Sequence, residues 1–193
     1  RTLSSAIIPP GLTHVDASNS LSFRVANDLV VVNALFDSLI YDFLMRSISG
    51  GTIGQAVLKK APALTDKQKQ NPLLPALVVR GLRLSSISTY YSELWREVFD
   101  KEFCNFNVSS DFEPKLAYSK LKNRWEFDTC IRDEKQREQT LCEIDAITSL
   151  LFGFAEEDLI KLYRSQFGAL QKFKEDLLNS KDFTGSHFPR EKQ

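Results

Sequence analysis

The side chains able to do chemistry are few and scattered. Cys104, Cys130 and Cys142 lie too far apart in sequence for the C-x₂-C spacing of a zinc site. An odd count argues against a secreted disulfide scaffold, so three buried or half-exposed free thiols in a reducing compartment are expected. His14 and His187, the only histidines, are distant from the cysteines and from each other. No metal site is expected. No serine sits in a G-x-S-x-G turn, and Ser186-His187 falls in a polar tail where a base would not be held in place. Gly50-Gly51-Thr52-Ile53-Gly54 is rich in glycine but lacks the G-x-x-x-x-G-K-[ST] order, and its helix precedes the loop instead of following it. Asp133-Glu134 and Glu156-Glu157-Asp158 stand at helix starts, where the helix dipole favours carboxylates. No catalytic constellation emerges.

Binding chemistry is better represented. The 25 Lys+Arg balance the 25 Asp+Glu, yet the charges are segregated along the chain. From Lys59 to Arg83 six bases (Lys59, Lys60, Lys67, Lys69, Arg80 and Arg83) face one acid, Asp66. Lys115, Lys120, Lys122 and Arg124 form a second run, without an acid between them. The stretch from Glu126 to Asp145 is acidic. A neutral total can therefore conceal a basic face, as contact with a polyanion requires. Solvated surfaces of ordinary helices and loops are the plainer reading of the same charges.

The elements that must carry these groups follow from pattern and punctuation. Hydrophobic residues at 42% and charged residues at 26% are those of a globular chain. With no apolar run of about 18 residues free of charge and no leader-like start, the expectation is a soluble, cytoplasmic protein. The start at Arg1, within an apolar run, suggests a piece of a larger chain. Leu3–Ile8, ended by Pro9-Pro10-Gly11, reads as a strand and turn, and Leu21–Val25 alternates as a half-buried strand should. Asn27-Asp28 caps a helix that continues to Ile48 and stops at Ser49-Gly50-Gly51. Residues 52–64 read as a loop, a half-turn and a closing strand, followed by a polar bridge, Thr65 to Asn71. Helical spacing resumes from Leu77 to about Phe103, after Pro72 and Pro75. Residues 104–128 have no clear period. Helices are expected from Asp133 to Phe152, from Glu156, and from about Ala169 to Leu178. Tyr90 and Tyr91 are candidates for stacking on bases, although their helical setting favours core positions. The fold expected is α+β and predominantly helical: a strand-bearing unit over 1–70, a helical region over 71–180 and a frayed tail over 181–193.

Four segments resemble, in order, the carboxy-terminal part of large adenine-specific DNA methyltransferases of restriction–modification and phage-defence systems, type IIG enzymes among them. Arg1-Thr2-Leu3-Ser4-Ser5-Ala6-Ile7-Ile8-Pro9-Pro10-Gly11 is similar to that family's Arg-Thr, aliphatic, Pro-Pro-Gly strand. Leu35-Phe36-Asp37-Ser38-Leu39-Ile40-Tyr41-Asp42-Phe43-Leu44-Met45-Arg46 with Ser49-Gly50-Gly51-Thr52 resembles its "L-N-S-x-[VI]-[FY]-D-[FY]-x-x-R … G-G-T" helix and loop. Val57–Leu64 resembles its "hydrophobic-x-K-x-[LI]-P-[VI]" strand. Leu141–Ala146 with Leu151–Leu159 resembles its "E-[LI]-D-A … L-[YF]-G-[LF]-[ST]-x-[ED]-[ED]-L" helix pair. Asp37 stands where the family usually has Asn, and Gly54-Gln55-Ala56 where it has an asparagine–aromatic pair.

The resemblance implies a target-recognition and carboxy-terminal helical region, whose partners are double-stranded DNA and an upstream methyltransferase domain of the same chain. S-adenosylmethionine and the catalytic Asn-Pro-Pro-Tyr type loop would belong to that upstream domain; this chain has no such loop, and its Pro9-Pro10 is followed by Gly11. Arg46, Thr52, Gln55, Lys59 and Lys60 are the DNA-binding residues it implies. The bases would contact phosphates, and Thr52 and Gln55 would bond a base edge or the backbone. The rival reading is a helical interaction or scaffold domain with no nucleic-acid role.

Overall fold

A serine decides the first architectural feature. The apolar stretch expected as one helix from Asn27 to Ile48 is two, α1 (Ala26–Phe36) and α2 (Leu39–Ser49), in a computed structural model that describes residues 3–14, 18–50, 53–107 and 116–179. Ser38 breaks the run by taking an extended backbone; its hydroxyl accepts from Tyr41 N at 3.3 Å and donates to Leu35 O at 2.6 Å. That satisfies one of the orphan amides of α2, the usual work of a serine at a helix start. Gly50 ends α2 at φ 61°, a left-handed position where glycine carries no Cβ penalty.

Beyond it come α3 (Gln55–Leu58), α4 (Asp66–Lys69), α5 (Leu74–Ser85), α6 (Ser92–Val98), α7 (Glu134–Phe152), α8 (Glu156–Gln166) and α9 (Gly168–Asn179), with short 3₁₀ turns between some of them. Pro75 lies in the first turn of α5, where its missing N–H would be unbonded anyway. Asp133 caps α7 by accepting from Gln136 N at 3.0 Å, and Gly153 closes it at φ 74°. The helical run expected from Leu77 to Phe103 is broken after Ser85. Segment 104–128 is irregular where described, relieved by the end of the 3₁₀ turn Lys101–Asn105 and by 3₁₀ turns at Tyr118–Lys120 and Phe127–Thr129. The polar bridge from Thr65 contains α4.

No strand occurs among the described residues, so the α+β expectation is corrected to an all-helical fold. The physical reason differs at each of the three segments read as strands. Leu3 and Ile7 are buried, but their backbones bond helix side chains instead of a second strand: Leu3 N donates to Asp42 Oδ1, and Ile7 O accepts from Tyr91 Oη at 2.8 Å. Leu21 and Val25 are 48% and 52% exposed, so the segment between them has little to bury. Val57 and Leu58 are helical, and Lys60 N and Ala61 N turn back to Val57 O and Leu58 O.

The core gathers buried residues from both sides of residue 70, among them Leu3, Val30, Tyr41, Leu77, Leu82, Trp95 and Ile144. At its centre α1 and α5 approach so closely that a Cβ on Gly81 would lie 2.6 Å from Ala34 Cβ. α7 packs across α5, α2 contacts α7 and α8, and α9 lies on α7 and α8. The irregular connector is held by long donors: Arg83 Nε and Nη2 reach Thr129 O and Leu116 O at 2.9 and 2.7 Å, and Trp95 Nε1 reaches Lys122 O at 2.8 Å. No helix among the described residues is long and apolar enough to cross a membrane. The tail expected over 181–193 lies outside the described residues.

Candidate nucleic-acid interface

Ser38, Tyr41, Asp42, Glu143 and Asp145 are the buried polar residues described within the four resemblance segments, and several of them bond groups from distant parts of the chain. Asp42, with no exposed surface, accepts from the amide of Leu3. Tyr41 Oη donates to Pro62 O. Asp145 accepts from Leu39 N at 2.7 Å, adding a carboxylate to the start of α2, where the dipole favours one. Glu143 Oε2 accepts from Arg80 Nε at 2.6 Å, with both side chains 7% exposed. Segments far apart in sequence thus close on α2, and Asp42, Tyr41 and Asp145 each bond a backbone group from another segment. Burial pushes the Tyr41 hydroxyl up to about 12, so it stays protonated and donating.

What these fastenings position is the stretch that follows α2. Asn19 Nδ2 donates to Ile53 O at 2.8 Å, and α3 packs on α2. After the Tyr41–Pro62 bond and the buried Leu64, Thr65 opens α4 with a reciprocal capping box: Gln68 N bonds Thr65 Oγ1, and Thr65 N bonds Gln68 Oε1. Gln68 Nε2 then ties α4 to Leu151 O at 2.9 Å. On this tethered path Gln55, Lys59, Lys60, Lys67 and Lys69 are all exposed, with Asp66 among them.

The expected site residues divide accordingly. Gln55, Lys59 and Lys60 are brought together at and just after α3, open to solvent. Thr52 lies outside the described residues. Arg46 is turned inward: its guanidinium is 3.9 Å from Asp42 and 4.5 Å above the Phe167 ring, which uses it to seat α8 against α2. Lys67 and Lys69 join the exposed group, and the Thr65-x-x-Gln68 spacing was the available signal that a helix would present them. Arg80 and Arg83, counted above with the basic run, are buried at 6% and 0%. Their signal was interleaving with Leu77, Val79, Leu82 and Leu84 on one apolar helix. Burial lowers the Arg83 pKa, but backbone carbonyls and the Tyr118 ring at 4.6 Å hold the guanidinium. In the second basic run, Lys120, Lys122 and Arg124 are exposed and Lys122 pairs with Glu126 at 3.1 Å. Of the stacking candidates, Tyr91 is buried and Tyr90 is 75% exposed.

Flexible ammonium groups on a fixed backbone suit phosphate contact. Among the described residues no group of His, Cys, Asp and Glu is arranged to hold a metal ion. Set against protein-family models, curated proteins and solved structures, the chain matches none.

Proposed function

We propose that the chain is a DNA-recognition region of an adenine-specific DNA methyltransferase or restriction–modification enzyme, holding duplex DNA for an upstream catalytic domain. One observation carries the reading. The four segments that resemble that family are fastened to one another through their own motif residues, Leu3 to Asp42, Tyr41 to Pro62 and Leu39 to Asp145. The resemblance therefore concerns one folded unit and not four separate strings. The exposed lysines after α3 and on α4 supply the matching chemistry.

In this reading Lys59, Lys60, Lys67 and Lys69 neutralise phosphates of one backbone and fix the register. Gln55, exposed beside them, offers both a donor and an acceptor to a base edge. Asp42, Tyr41 and Asp145 touch no DNA and hold that surface in place. Chemistry on an adenine requires that the base leave the stack; the upstream domain, with its S-adenosylmethionine, would perform that step.

The test is charge reversal. Lys59→Glu with Lys60→Glu is expected to weaken duplex binding by about tenfold or more at 50 mM salt, read by fluorescence anisotropy, with the circular dichroism spectrum unchanged. Equal affinity of the variant and the parent chain counts against this surface.

A further inference from the structure

Cys142 on α7 and Lys174 on α9 meet side by side. Lys174 Nζ donates to Cys142 Sγ at 3.1 Å and lies 3.4 Å from Glu138 Oε2. The lysine side chain is only 14% exposed, and its ammonium lies 5.6 Å from the centre of the Tyr163 ring. Cys142 itself is exposed and helps to line an open cleft of about 280 Å³ with Arg80, Gln139, Glu143, Ala146 and Ile147. A small oxidant can therefore reach the sulfur from one side while an amine stands against it on the other. The other two thiols differ. Cys104 and Cys130 donate to the carbonyls of Leu121 and Phe127, and Cys130 is buried.

We propose that Cys142 and Lys174 form a peroxide-triggered covalent switch, in which the thiol is oxidised to a sulfenic acid and then condenses with the lysine amine, joining α7 to α9 through a sulfur–nitrogen bond. The sulfur attacks one oxygen of hydrogen peroxide and the O–O bond breaks; sulfur gives up two electrons, and the second oxygen leaves as water with the thiol proton. Lys174 Nζ, as the free amine, then attacks the sulfenic sulfur. The S–O bond breaks, and the hydroxyl departs as a second water with a proton from nitrogen. One thiol, one amine and one peroxide give one sulfenamide and two waters.

The surroundings set the protonation that the second step must change. Burial alone lowers the Lys174 pKa, while the Cys142 sulfur, Glu138 and Asp145 outweigh it and hold the group above its ordinary value. The ammonium must therefore give up a proton before the amine can attack. Glu138 is placed to receive the ammonium proton. The product fastens α9 to α7 until a thiol reductant reopens it. None of this depends on DNA binding.

The experiment treats the full chain with one equivalent of hydrogen peroxide and maps the peptides by mass spectrometry. Expected are a Cys142–Lys174 linked pair two hydrogens lighter than the sum of its peptides, its loss on adding dithiothreitol, and oxidation of Cys142 about tenfold faster than that of Cys104. Lys174→Arg keeps the cation and the fold but cannot complete the condensation, so its Cys142 sulfenic acid should be captured by a 1,3-diketone. The proposal is overturned if Cys142 of the parent chain runs on to sulfinic acid unlinked, if the bridge retains oxygen, or if Cys104 or Cys130 is oxidised first. Persistence of the link in Lys174→Arg overturns it equally.

Discussion

Asp145 and Lys59 mark the two kinds of residue that the resemblance draws together. Asp145, buried, accepts from Leu39 N, so Asp145→Ala strands that amide in the interior. The expected loss is about 1–3 kcal/mol of unfolding free energy, measured by urea unfolding. Lys59→Ala, on an exposed helix end, should stay within about 0.5 kcal/mol of the parent. Tyr41 gives a prediction in pH. Burial pushes its hydroxyl up to about 12, whereas in the unfolded chain it titrates near the ordinary value of about 10. Between these values the folded state holds more protons than the unfolded state. Its contribution is therefore complete below about pH 10 and is lost as the pH rises toward 12. The unfolding free energy of Tyr41→Phe, from urea titrations, should be lower at neutral pH by about 1 kcal/mol, for the lost bond to Pro62 O, but should fall less steeply in alkali. A parallel alkaline fall in both proteins would show that other groups carry it.

At the scale of elements, the close crossing of α1 and α5 sets the sign of a substitution. Glycine inside a helix is ordinarily a site where alanine stabilises by about 0.5–1 kcal/mol. At Gly81 the new Cβ would meet Ala34 Cβ at 2.6 Å, and neither α1 nor α5 can yield without disturbing the core. Gly81→Ala is expected to lower stability by about 1–3 kcal/mol, measurable by thermal or urea unfolding; a gain would mean that the helices separate freely. Legibility followed the same logic. α7 could be read because Asp133 and Gly153 mark both its ends locally. That Leu3–Ile8 is no strand could not, because a strand is defined by a partner, and the backbone of this segment bonds the side chains of Asp42 and Tyr91 instead. Ser38 could have been read as a cap, but the apolar residues on both sides continued the helical stripe through it. Lys59 and Lys60 were legible as surface charge. The inward turn of Arg46, like the contact of Cys142 with Lys174, depends on helices meeting from distant parts of the chain.

For the molecule as a whole, duplex recognition predicts an electrostatic footprint that an interaction scaffold lacks. The net charge is zero, so any attraction to DNA must come from local surfaces, and Lys59, Lys60, Lys67 and Lys69 are the exposed group that the fold tethers. The most direct measurement is the affinity of the chain for duplex DNA as a function of salt. If these four lysines each neutralise one phosphate, the logarithm of the association constant should fall against the logarithm of salt with a slope of about −3.6. Charge reversal at Lys59 and Lys60 should remove about half of that slope. Absence of duplex binding at low salt, or binding whose strength does not change with salt, would contradict the DNA-recognition reading and favour the scaffold.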